Sequence, residues 1–373
     1  MSVKVKDIMN VMEGLAPHEL AESWDLVGLA VGDPEAEVKK VLVALDVTDP
    51  VVEEARKLGA DMIVTHHPML LFRKIQSITT EDLLGKRIFK LIKNDIAAFS
   101  AHTNLDIVWG GTNDVLAELI GLENIRILEE TTAEALKKIV VYVPVTHGDA
   151  VRKAMCEAGA GHIGNYSHCT FAAEGKGTFL PLEGTNPFLG EQGKMEYADE
   201  IRLETIVPAK KLPAVLDAML KAHPYEEVAY DVYAVEQKGK PEGIGRIGEL
   251  PREMTFRELG ELLREKLGLD HIRLTGRAEK KIKTVGLCTG SGVEFLEAAG
   301  RMGADAYLTG DIKFHEAQRA VEQDIPVADV THYASEVLIV PVLKEKILQA
   351  AEQNGWELEV VCSEENGQTF WTI

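Results

Sequence analysis

The sequence from Val38 to Pro68, VKKVLVALDVTDPVVEEARKLGADMIVTHHP, has a second version far along the chain, Ile282 to Ile312, IKTVGLCTGSGVEFLEAAGRMGADAYLTGDI. Each runs from a β-branched stretch through an amphipathic helical stretch to Gly-Ala-Asp and a second short apolar run. Gly59-Ala60-Asp61 matches Gly303-Ala304-Asp305 at an offset of 244 residues. A strand-helix-strand unit is the building block of a parallel sheet with helices packed on its faces, so a chain carrying two of them is directed to an α/β fold.

The correspondence extends further. IAAFSAHTNLD (Ile96 to Asp106) aligns with IPVADVTHYASE (Ile325 to Glu336), which sets His102 opposite His332 and Asp106 opposite Glu336. Each half thus ends an apolar strand with a histidine followed four residues later by a carboxylate, and such halves commonly pack around a shared cleft. Between them, KKIVVYVPVTHGDAVRKAMCEAGA with HCTFAAEGKGTFLP, and DEIRLETIVPAKKLPAVLDAMLKAHP with EEVAYDVYAVE, each read strand, helix, strand. Two such units in tandem predict a ferredoxin-like βαββαβ domain. Gly184 to Gly193 reads as a loop within it, and Gln237 to Gly248 as a linker back to the core. The expected organisation is duplicated βαβ half-domains forming a metal-binding core, residues 1–126 and 239–373, around an inserted ferredoxin-like α+β domain at 127–238.

Charge and cysteine usage narrow the function classes. A formal net charge of -20 opposes a large phosphate-binding surface and hence nucleic acid as a partner. The opening residues carry charges without an apolar h-region, and no apolar run approaches membrane-spanning length. Cys156, Cys169, Cys288 and Cys362 are scattered without a C-x-x-C pair, which suits a reducing, cytoplasmic setting and argues against a thiolate metal site.

The residues able to do chemistry collect at the ends of the repeated strands. His66-His67-Pro68 closes the second strand of the first repeat, where open α/β sheets present their binding loops. Adjacent side chains on a regular strand point to opposite faces, so the two histidines share a site only where the strand gives way to a loop, an ending that Pro68 favours. Otherwise they are solvated loop residues. His332 and Glu336 stand one helical turn apart and can reach one ion, or can simply brace a helix start. Asp106 is a ligand or a turn former before Gly110-Gly111. Three imidazoles and two carboxylates exceed the needs of one catalytic ion and suit two divalent ions, with zinc, iron or manganese favoured over calcium. His102 orients a ligand, shuttles a proton or is a buried structural histidine, and Asp46, Asp311 and His315 are further cleft candidates.

These motifs, taken in order, are Ser23-Trp24-Asp25 to Gly28-Leu29, Thr65-His66-His67-Pro68, His102-Thr103-Asn104-Leu105-Asp106, Gly245-Arg246-Ile247-Gly248 and His332 to Glu336. Over essentially its whole length the chain resembles the Nif-three-like dinuclear-metal proteins, often named type 2 GTP cyclohydrolase I homologues, in their long bacterial form with a central insertion. It departs in carrying Leu26 where the family often has asparagine. The resemblance implies a metal pair held by His66, His67, Asp106, His332 and Glu336, with Glu336 bridging. It also implies a toroidal homohexamer and an insertion similar to the PII and CutA-like folds.

Two functions follow as expectations. One is a metal-dependent hydrolase acting on a nucleotide or similar small molecule, with GTP ring opening as the named case and His102 moving a proton. The ligand set lacks the cysteine that a zinc-thiolate cyclohydrolase would use, and no G-x-x-x-x-G-K-[ST] loop is present to cradle phosphates. The other is a non-catalytic metal-binding or regulatory assembly whose insertion senses a ligand. His162, His168 and Cys169 offer either a second metal site there or a glycine-rich turn entering a strand.

Overall fold

A computed structural model describes residues 2–69, 75, 77–365 and 367–371. The chain forms two compact units, residues 1–132 with 242–373, and Ala133–Pro241. Among the described residues no helix is long and apolar enough to cross a membrane.

Besides the short pair Val3–Lys4 with Glu37–Val38, the first unit holds strands of two larger sheets. One has the strand order Glu359–Cys362, Lys40–Ala44, Met62–Thr65, Ala97–Ser100, Gly28–Val31, parallel except for the last strand. Its three inner strands are buried on both faces, which explains their unbroken apolar runs. Val41, Val43, Met62, Val64, Ala97 and Phe99 pack with helices Val5–Leu15 and Ile339–Asn354. The alternate residues Leu42, Ala44, Ile63 and Ala98 pack with Val51, Val52 and Ala55 of helix Asp49–Leu58 and Leu91 of helix Leu83–Lys93. In the other sheet Lys281–Leu287, Ala306–Thr309 and Val327–Asp329 run parallel, flanked by antiparallel strands. Helix Thr112–Leu119 packs on it through Leu116 and Ala117.

The repeated Gly-Ala-Asp does the same three jobs in both places. Gly59 (φ 64°) and Gly303 (φ 84°) turn the chain out of the preceding helical segment in the left-handed region that glycine enters without cost. Ala60 and Ala304 are buried. The Asp61 carboxylate accepts from the backbone N–H groups of Lys39 and Lys40 at 2.7 and 2.9 Å, and Asp305 accepts from those of Lys283 and Thr284, both at 2.9 Å. Each aspartate pins the start of the neighbouring strand and thereby its register.

In the second unit Glu196–Pro208 pairs antiparallel with residues 136–144 and with Thr170–Phe179. Helices Gly148–Glu157 and Leu212–Ala222 cover one face through Val151, Met155, Val215 and Met219, packed on Ile139, Val141, Val143 and Leu203. Gly184 to Gly193 lies outside helix and strand.

One expectation is corrected. Gln237 to Gly248 is not a loose linker but part of the long strand Tyr230–Thr255. Its glycines serve close packing: a Cβ at Gly243, Gly245 or Gly248 would stand 2.1, 2.8 or 2.9 Å from the carbonyl oxygens of Glu129, Leu287 and Glu123.

Candidate metal centre

Strand Met62–Thr65 ends one residue before His66, so the two histidines are released from strict alternation. Their ring centroids lie 5.0 Å apart, on the same side of the chain. Helix His332–Glu336 starts with Thr331 as its cap, whose Oγ1 accepts from the Ala334 N–H at 3.2 Å. That one turn places His332 Nε2 3.0 Å from Glu336 Oε2. Asp106 sits in the short helix Thr103–Ile107 and accepts from Thr112 Oγ1 at 2.5 Å.

These residues converge around Glu336. His67 Nε2 stands 2.9 Å from its Oε2, His66 Nε2 3.8 Å from its Oε1, and His66 Nε2 3.6 Å from Asp106 Oδ1. Three overlapping groups have mutual donor spacings that can hold a metal ion: His66, His67 and His102; His67, His332 and Glu336; His66, Asp106 and Glu336. His66, His67, His102, Asp106, His332 and Glu336 therefore meet in one place.

The tautomers explain what the site wants. His66 Nδ1 faces the Ala101 carbonyl at 2.9 Å, and because a carbonyl only accepts, the proton sits on Nδ1. His67 Nδ1 faces Asp46 at 2.8 Å, His332 Nδ1 faces Asp311 at 2.8 Å, and His102 Nδ1 faces Asp25 at 3.0 Å. In each ring the outer nitrogen is committed and Nε2 remains to act as ligand, the arrangement that metal-binding histidines adopt. His67 Nε2 and His332 Nε2 then approach to 3.3 Å with no proton to share unless one ring is charged. With the rings neutral, His66 Nε2 and Glu336 Oε2 are buried without a hydrogen-bond partner.

Such a concentration of lone pairs needs positive charge, and a divalent ion on nitrogen and oxygen donors fits. Without an ion, protons supply the charge. Burial alone would depress His67, but Asp46 and Glu336 outweigh it and push its pKa up to about 10. The Glu336 hydrogen bond, against the opposing effect of burial, lifts His332 to about 9. Burial works to raise Glu336, yet the three facing histidines hold it well below the usual carboxylate range. Burial pushes Asp106 up, against His66.

Glycine makes room for the carboxylate. A Cβ at Gly290 would lie 2.1 Å from Glu336 Oε1. Backbone strain gathers nearby, since Asp311 and Thr331, at φ 56° and 62°, are non-glycine residues in the left-handed region on either side of the His332 contact. A cavity of about 700 Å³ opens at the site, lined by His67, His332, Asp311, Arg273, Lys313 and Phe370 among others.

Two functional residues escaped sequence reasoning. Asp25, quoted only within a motif, orients His102 and also accepts from the Thr103 backbone N–H and Oγ1 at 3.0 and 2.6 Å. Arg246 is fully buried and forms a bidentate pair with Asp114 at 2.9 and 2.7 Å. Asp114 lies two residues past Thr112, the partner of Asp106, so the pair fixes the helix that steadies a candidate ligand. No spacing in the sequence signals either contact. His315 is exposed and, like His162, His168 and Cys169, joins none of the metal-capable groups among the described residues.

Comparison with known proteins identifies the family and the shared fold. The GTP cyclohydrolase 1 type 2 homolog of Bacillus subtilis (strain 168) is 43% identical over 337 residues, covering 90% of each chain. The protein of that name from Halalkalibacterium halodurans is 41% identical over 366 residues, covering 98% of each. The crystal structure of the Bacillus cereus protein related to NIF3 superposes with a TM-score of 0.92 at 41% identity, over 100% of this chain and 99% of that one, so the mixed α/β architecture is shared. The model of the Duf34/NIF3 (NGG1p interacting factor 3) family matches residues 3–368, and the chain belongs to that family.

Proposed function

We propose that the chain holds two divalent metal ions, zinc, iron or manganese, on His66, His67, Asp106, His332 and Glu336. On this reading it is a metal-dependent hydrolase acting on a nucleotide or related small molecule, in keeping with the name GTP cyclohydrolase 1 type 2 homolog carried by its relatives. One observation carries this reading: four histidines commit Nδ1 to outer acceptors, and three of them, His66, His67 and His332, bring Nε2 toward the buried Glu336 carboxylate. Bound divalent ions supply Lewis acidity and a nucleophile at neutral pH. The chain supplies the rest. Asp46 and Asp311 fix the rings of His67 and His332. His102, oriented by Asp25, moves a proton at Nε2.

We extend the proposal to the assembly: a toroidal, cytoplasmic homohexamer in which residues 1–126 and 239–373 are duplicated halves and 127–238 is an inserted ferredoxin-like domain. The matched Gly-Ala-Asp contacts support duplication. A non-catalytic regulatory role is the second reading, favoured by a large cavity in the unit Ala133–Pro241, apart from the metal-capable residues.

Elemental analysis of the wild type and of a His66→Ala, Glu336→Ala double variant tests the centre. The variant is expected to stay folded and lose its metal, and wild-type metal content in it would remove the assignment. A turnover screen of metal-loaded protein over nucleotides, phosphate esters, amides and cyclic amidines then decides between the readings, because no turnover of any class favours the regulatory one.

A further inference from the structure

The unit Ala133–Pro241 carries a cavity of about 640 Å³, within the range of small-molecule sites. It lies on the sheet face opposite the two helices, because Glu200 and Arg202 alternate with the core residues Ile201 and Leu203. The floor is made by what is missing. In strand Thr170–Phe179, Ala173, Gly175 and Gly177 project nothing beyond a Cβ over this face, opposite Arg202, Glu200 and Ala198 of the neighbouring strand.

The walls are aromatic. Tyr225 stands 5.9 Å from Phe179 and 6.2 Å from Phe188, centroid to centroid, and Tyr142 completes the lining. Glu200 is over nine-tenths buried among them, and its Oε1 accepts from the Tyr225 hydroxyl at 3.0 Å. A Cβ at Gly177 would stand 2.1 Å from Glu200 Oε2, so glycine there is what lets the carboxylate lie along the floor.

Charges around the cavity are unbalanced. The cations Lys176 and Arg202 are each taken, by Asp199 and Glu204 respectively. Among the described residues no lysine, arginine or histidine nitrogen pairs with Glu200, and Glu174, Glu226 and Glu227 add further negative charge at the lining. A desolvated carboxylate lacking a cation, set among ring faces, is complementary to a positively charged group with an apolar body.

We propose that this cavity binds a small organic cation, an ammonium or guanidinium carrying an aromatic or aliphatic body, whose charge meets Glu200 while its body lies against Phe179, Phe188 and Tyr225. The site is independent of the metal centre and of any reaction there. Its occupancy gives the second unit a ligand of its own.

Calorimetric titration of the metal-loaded full-length protein with phenethylammonium, 2-phenylethanol and phenylacetate tests this with probes of one shape and three charges. The ammonium is expected to bind saturably and at least about tenfold more tightly than the alcohol, with the carboxylate weakest. Glu200→Gln, which keeps an acceptor for Tyr225, should erase that preference. Gly175→Leu should abolish binding of all three with the thermal transition retained, because a Cβ at Gly175 meets nothing within 4 Å and the side chain fills the cavity. Equal binding of ammonium and alcohol, no saturation by the ammonium up to about 1 mM, or an unchanged preference in Glu200→Gln would each overturn the proposal. If Gly175→Leu fails to fold, Glu200→Gln decides it alone.

Discussion

Replacing Arg246 by methionine should destabilise the first unit more than almost any other single change, and the contacts allow the loss to be sized. All five guanidinium N–H groups are used: Nε and Nη2 on the Asp114 carboxylate, Nη1 on the carbonyls of Gly243 and Gly245 at 2.8 Å, and Nη2 also on Val108 at 3.0 Å. The guanidinium also lies 4.5 Å from the centroid of the Trp109 ring. Methionine fills much of the volume but leaves a buried carboxylate without its cation, and breaking a buried pair in this way costs roughly 3–5 kcal/mol. Of Asp114, only the Gly110 N–H contact at 2.9 Å persists. We predict a loss of about 4 kcal/mol by urea denaturation. An Arg246→Met, Asp114→Leu double variant should recover about 1–2 kcal/mol of it, because no charge is then stranded, while the orphaned carbonyls keep the remainder. A loss below about 1 kcal/mol in the single variant, or a double variant no better than the single one, would refute the view that this pair holds the helix bearing Thr112.

Two further predictions concern the centre itself. Gly290→Ala should reduce metal affinity at least tenfold, since its Cβ would stand 2.1 Å from Glu336 Oε1 and displace the carboxylate, and should cost about 1 kcal/mol of stability because Gly290 lies at φ 65°; unchanged affinity in a competition titration would contradict the placement of Glu336. In chelator-treated protein, His67 and His332 have folded pKa values raised to about 10 and about 9 from 6.5, so their contribution to stability is complete below pH 6.5 and lost as the pH rises through 9 and 10. Metal affinity should move the other way, climbing with pH over the same window as ions cease to compete with protons, and a pH-independent affinity would count against these ligands.

Much of the candidate centre is legible in the sequence because the residues able to hold a metal obey local rules. A strand that ends in His-His-Pro releases adjacent side chains to one side, and a His-x-x-x-Glu helix turn aims two donors at one point. The sequence marks Asp46 and Asp311 as cleft candidates, but it does not display that they orient His67 and His332, nor that Asp25 orients His102. Asp25 lies 77 residues from His102 and Asp311 lies 21 from His332, and only the tertiary fold joins them. Arg246 is hidden for a different reason. Its glycine-rich surroundings look like a linker, whereas each glycine there lets two backbones approach closely inside a sheet.

The offset of 244 residues between the repeated segments also bears on why the candidate donors gather in one place. It carries Asp46 to Gly290, His66 to Gly310 and His67 to Asp311. Glycine stands where a side chain would collide with the second half's own contribution: besides the Gly290 contact with Glu336, a Cβ at Gly310 would lie 2.6 Å from the His332 backbone nitrogen. At the position matching His67, Asp311 turns from donor to orienting group and holds His332 Nδ1. The strand ends of the first half supply imidazoles, and those of the second supply space and a hydrogen-bond acceptor for the helix His332–Glu336 that enters between them. A histidine placed at position 310 would therefore crowd the start of that helix before it could add a donor, so the asymmetry of the candidate donor set follows from steric room at matched strand ends.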